Sequence, residues 1–193
     1  MESSTVIDEI TRHCASGPSL AMAFFYFDFY DKDTLLREVL RSLIKQLSLR
    51  CTTAYDVLTS LFSQYGEGQR SPSQDDLMTT LKSMIGAFAN VYIVFDALDE
   101  YSERDELLRV LELMHGWEIG TLHLLATSRK ERDIEVGLDS LVSHHVPMDE
   151  ILVADDIQMH VIRTLDEDIK LQKYSEEEKE LIETRLKGGA HGM

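Results

Sequence analysis

Asp96, Asp99 and Glu100 follow directly on the apolar run Val91-Tyr92-Ile93-Val94-Phe95. Carboxylates at the end of a buried strand can hold a hydrated Mg²⁺ and polarise a water against a phosphate. In that chemistry Asp96 orients the ion through water, and Asp99 or Glu100 polarises the attacking water. A plainer reading competes with it. Acids also gather where a strand hands over to a helix, because they cap the helix and complement its dipole. A second group, Thr127-Ser128-Arg129, closes the apolar run that begins at Leu122. An arginine there can reach a terminal phosphate, or can simply pair with a surface carboxylate.

These groups need elements to hold them. A continuous apolar run such as Val91–Phe95 reads as a strand buried on both faces, the habit of parallel sheets. Leu20–Phe29 and Leu122–Thr127 read as further strands, and Val142–Met148 as a weaker one. Helical spacing marks the stretches between them. Val6, Ile7, Ile10 and Cys14 make one stripe, ended by Gly17-Pro18. Leu35, Leu36, Val39, Leu40, Leu43, Ile44 and Leu47 make the clearest stripe. Further helices are expected over Ala54–Gln64, from a cap at Asp75 or Asp76 through Phe88, and from about Glu103 to His115. Two more run from Asp155 to about Leu171, and from Ser175 to about Lys187. Ser175 and Glu178 have capping-box spacing.

Strands alternating with helices imply an α/β fold, a parallel sheet with helices on both faces. The acids of the Val91 strand and Arg129 then emerge side by side at the carboxyl ends of the strands, where open α/β sheets bind ligands. A domain boundary is expected near Pro147–Val153, with residues 1–150 forming the core and residues 151–193 a helical extension.

Composition excludes several classes. The chain has 193 residues, 44% of them hydrophobic, which suits a folded domain with a sizeable core. A formal net charge of −16 disfavours a nucleic-acid backbone as partner. Cys14 and Cys51 lack both metal-ligand spacing and a disulfide framework, which points to a reducing, cytoplasmic setting. The longest apolar stretch, Leu20–Phe27, is too short to cross a bilayer, and no membrane role is expected. His144-His145 would point to opposite faces of a strand, so a metal pair is not expected there. No G-x-S-x-G elbow supports a serine hydrolase. The aromatics Phe24, Phe25, Tyr26, Phe27 and Phe29 read as sheet core rather than a base-stacking platform, because nothing basic surrounds them.

Four segments, in this order, resemble the NACHT-type module of fungal signal-transduction ATPases, also described as nephrocystin-3-like N-terminal domains. AMAFFYFDFYD (residues 21–31) is similar to the family's aromatic second strand. VYIVFDALDE (91–100) resembles its Walker B strand, and LHLLATSRKERDIE (122–135) its sensor strand. KGGAHGM (187–193) resembles the start of a later motif. The resemblance implies a P-loop NTPase fold, with ATP and Mg²⁺ as cofactors. It implies Asp96 at the metal, Asp99 and Glu100 in catalysis, and Ser128 and Arg129 at the nucleotide.

The family's phosphate loop requires G-x-x-x-x-G-K-[ST], because backbone N–H groups and the lysine hold the phosphates. No Gly-Lys-Ser or Gly-Lys-Thr occurs in the chain. The resemblance sets residue 1 inside the helix that follows that loop, so the first strand and the P-loop are expected upstream. That strand would be central in the sheet, and without it two apolar edges are expected to be unpaired. The implied function is an ATP-driven switch that relays a signal to effector or repeat domains, or through self-association. As an isolated chain it is expected to bind ATP weakly or not at all. The alternative is a non-catalytic interaction module on the same scaffold. A carboxylate–metal hydrolase built on Asp96, Asp99 and Glu100 would need ligands that the sequence does not reveal.

Overall fold

Periodicity becomes architecture in a direct way. The computed structural model describes residues 2–28, 35–146, 150–168, 170–171 and 173–189. Three apolar runs form strands β1 (Leu20–Tyr26), β2 (Asn90–Asp96) and β3 (Leu122–Ala126), all parallel and in the order β1-β2-β3. The helices are α1 (Glu2–Cys14), α2 (Leu36–Ser48), α3 (Thr52–Gln64), α4 (Gln74–Ile85), α5 (Arg104–His115), α6 (Arg132–Leu138), α7 (Glu150–Glu167) and α8 (Glu176–Gly189). The chain divides into two compact units, Met1–Leu141 and Val142–Met193.

The connections decide which face carries the core. The chain passes from β1 to β2 through α2, α3 and α4, and from β2 to β3 through α5, moving the same way across the sheet each time. Right-handed crossovers put all four helices on one face. The core bears this out. Ala21, Ala23, Val91, Ile93 and Phe95 from the sheet join Leu40, Leu43, Leu81 and Leu111 from those helices in one buried cluster. Each Val, Ile, Leu or Phe side chain among them contributes about 1.5–3 kcal/mol on burial.

α1 covers the opposite face. Thr11 donates to Met22 Sδ at 3.6 Å, and His13 meets the Tyr92 hydroxyl at 3.4 Å. Tyr92 stacks on His123 at 4.7 Å between ring centroids, in line with the register Met22–Tyr92–His123.

The two outer edges of the sheet differ. On β1, the Gln46 amide of α2 accepts from the Phe24 N–H at 3.0 Å and donates to the Phe24 carbonyl at 2.8 Å. Arg50 adds a bond to the Leu20 carbonyl at 3.4 Å. A side-chain amide thus stands in for a neighbouring strand, one way of managing an exposed edge. β3 pairs only with β2 among the described residues, and Leu124 is 37% exposed.

Several expectations need correction. α4 is capped by Ser73, not by Asp75 or Asp76; Asp76 sits at the third helical position and completes a capping box. The Ser73 hydroxyl accepts from the Asp76 N–H, the bond that an N-cap side chain makes. Val142–Val146 is not a strand: its side chains are exposed, and Ser143, His144 and His145 give it no apolar face to bury. The rest of that expected strand, and Pro147 to Asp149 of the expected boundary, lie outside the described residues. β1 stops at Tyr26, and the expected end of that strand at Phe29 also lies outside them, as do residues 190–193. α7 starts at Glu150 rather than Asp155 and ends at Glu167 rather than Leu171.

Candidate functional site

The site is a single row of side chains at the carboxyl tip of the sheet. Alternation along each strand, combined with the register, puts Tyr26 and Asp96 on the face covered by α1. Thr127, one residue beyond β3, joins them there: its hydroxyl donates to Asp96 Oδ1. α1 ends near the start of β1 after a short turn, so the two run antiparallel, and the amino end of α1 points toward this same tip. Asp8 of α1 acts on Tyr26 together with Asp96. Burial first, then these two carboxylates, raise the Tyr26 phenol above its ordinary value and keep it protonated. A helix amino end carries unsatisfied N–H groups and the positive pole of the dipole, which favour an anion.

The chain leaves β2 through a tight turn. Ala97 adopts φ 59° and ψ 53°, the left-handed region that residues with a Cβ rarely enter. A 3₁₀ turn, Leu98–Glu100, follows, with Leu98 buried. Four bonds join this turn to Thr127. Its hydroxyl bonds Asp96 and accepts from the Ala97 N–H at 3.0 Å. Its carbonyl accepts from Leu98 N–H at 2.9 Å, and its N–H donates to the Phe95 carbonyl at 2.9 Å.

Asp99 turns back toward β3. Its side chain is 8% exposed; Oδ1 accepts from the Arg129 N–H at 2.9 Å, and Oδ2 lies 3.6 Å from the Arg129 guanidinium. Arg129 itself is 65% exposed, so the guanidinium is tethered but reachable. The Ser128 hydroxyl donates to the Arg129 carbonyl at 2.7 Å. Glu100 faces an open cleft of 510 Å³ beside the tip, lined also by Glu103, Arg104, Asp105 and Asp133. Arg104 donates to the Asp99 carbonyl through Nε at 3.1 Å and pairs with Asp133 at 3.3 Å. Partial burial would push the Asp133 carboxyl up, but the Arg104 guanidinium and nearby N–H groups outweigh it and hold the group below the ordinary range. With its one arginine committed, the cleft is acidic and repels a phosphate.

The tip therefore brings together Asp96, Asp99, Ser128 and Arg129, while Glu100 opens onto the adjoining cleft. Asp96 suits Mg²⁺ as one ligand of a largely hydrated ion, since Mg²⁺ keeps several waters and takes one or two carboxylates. Thr127 engages one of its oxygens, Oδ1. Among the described residues no three His, Cys, Asp or Glu side chains converge as a metal cage. Two groups, Tyr26 and Arg104, were not foreseen from sequence, and Thr127 was foreseen only as part of the group that closes its strand. Tyr26, read as sheet core, is 45% exposed at the tip. Thr127 and Arg104 organise the turn. Arg104 left one legible sign: a base in the first turn of a helix opposes the dipole, a local mismatch that a site can explain.

A family model described as nephrocystin 3, N-terminal, matches residues 1–129. No curated protein and no solved structure matches the chain.

Proposed function

This chain belongs to the nephrocystin 3 N-terminal family, and on that premise we propose that its α/β unit carries the metal side of an ATP-driven signalling switch. The observation that carries this reading is the row Tyr26–Asp96–Thr127 lying on the α1 face, with the amino end of α1 directed at the same tip. Asp96 would hold Mg²⁺ through water, and Ser128 and Arg129 would lie toward the terminal phosphate. Mg²⁺ bridging the phosphates would neutralise charge that builds up during transfer. Asp99 or Glu100 would polarise the attacking water, and Asp99 is in addition held by Arg129. Protein partners, namely effector or repeat domains or further copies, would read the nucleotide state.

The chain's own residues offer no Gly-Lys-Ser or Gly-Lys-Thr to cradle a triphosphate. Calorimetry with Mg-ATP is therefore expected to find binding weaker than micromolar; micromolar affinity would overturn that expectation. The same sequence observation favours a second reading, a non-catalytic interaction module. Phosphate release that is abolished by Glu100→Gln supports the enzyme. No release, with retained binding to a partner chain, supports the module.

A further inference from the structure

We infer that Thr127 is a positioning residue, whose hydroxyl locks the left-handed turn at Ala97 and thereby aims the Asp96 carboxylate. The metal-binding consequence rests on the reading of Asp96 given above; the locking of the turn does not.

The direction of each bond is forced by chemistry. The Ala97 N–H can only donate, so Thr127 Oγ1 accepts there and spends a lone pair. Its single hydrogen is then left for Asp96 Oδ1. One hydroxyl thus fixes both the backbone after Asp96 and the carboxylate itself. The Thr127 carbonyl and N–H hold the same turn from Leu98 and Phe95. Phe95 and Leu98 are buried at 1% exposure each, so the turn is anchored on both sides while Ala97 supplies the unfavourable φ of 59°. A residue with a Cβ persists in that region only when its surroundings over-determine it. Here the over-determining group is Thr127, just beyond β3 and so outside the strand whose turn it restrains. Groups that orient a metal ligand typically alter metal affinity by about ten- to a hundredfold when removed.

The test uses the full 193-residue chain and Mn²⁺ alone, with free Mn²⁺ read by electron paramagnetic resonance. Thr127→Val keeps the branched shape and removes both hydroxyl bonds; Thr127→Ser keeps them. We expect Thr127→Val to weaken Mn²⁺ binding about tenfold or more, and Thr127→Ser to restore it. Unchanged affinity in Thr127→Val, or no recovery in Thr127→Ser, would overturn the aiming of Asp96. Mn²⁺ binding that survives Asp96→Asn would instead overturn the metal reading of Asp96. A thermal double-mutant cycle judges the lock without any metal. Ala97→Gly should raise the melting temperature less in the Thr127→Val background than in the unaltered chain, because without the lock Ala97 can leave the strained φ. Additive shifts would overturn the lock.

Discussion

Asp99 separates two jobs that sequence alone left open between neighbouring acids. A carboxylate with 8% exposure that accepts a backbone N–H and faces a guanidinium is a structural anchor for the Arg129 segment. Asp99→Ala would leave that N–H without its charged acceptor, and we expect a loss of about 1–3 kcal/mol in chemical denaturation. Arg129→Ala removes an exposed partner and should cost no more than about 1 kcal/mol. Equal losses for the two would show that the ion pair, not the N–H bond, carries the interaction. Asp96, Asp99 and Arg129 could be read as neighbours from the sequence, because a parallel sheet brings the ends of adjacent strands together. Thr127 was expected at the tip with Ser128 and Arg129, but neither its pairing with Asp96 nor the place of Tyr26 could be assigned. Both depend on register, and shifting a strand by one residue turns every side chain to the other face.

Helix boundaries and sheet edges were legible where periodicity was long and blurred where a single polar side chain decided the outcome. At the start of α4, Ser73, Asp75 and Asp76 are all acceptable caps by type; the hydroxyl geometry of Ser73 settles the choice. Hydrogen bonds from Ser73 and then Tyr65 hold the Asp76 carboxyl below its ordinary value. A depressed acid stabilises the fold above its unfolded value and loses that contribution as pH falls through the folded one. Unfolding midpoints should therefore drop below roughly pH 4, and Asp76→Asn should flatten that drop. The Tyr65 phenol is raised, chiefly by its bond to Asp76. Its contribution is present below its ordinary value and is lost as pH rises through the raised one. The β1 edge offers a sharper test. Gln46→Leu strips both of its bonds to Phe24 and should cost about 1–3 kcal/mol in denaturation. A loss near zero would mean that water replaces the amide there without penalty.

For the molecule as a whole, the buried cluster that spans the sheet, α2, α3, α4 and α5 lies within residues 21–134, inside the first compact unit. A chain ending at Leu141 should keep one cooperative thermal transition, since among the described residues no member of that cluster comes from later in the chain. Loss of the transition would show that the second unit supports the first. Three strands and their order of appearance followed from apolar runs and the helical stripes between them. The expected strand near Val142 did not form over Val142–Val146, because a short apolar signal broken by Ser143, His144 and His145 has no face to bury.

The most direct measurement is site mapping by paramagnetic broadening, with substoichiometric Mn²⁺ added to the isotopically labelled chain. The amides of Asp96, Ala97 and Thr127 and of the first turn of α1 should broaden first, and Asp96→Asn should abolish the effect. Broadening confined to the acidic cleft around Glu103, Asp105 and Asp133, with the tip unaffected, would contradict a metal site at Asp96.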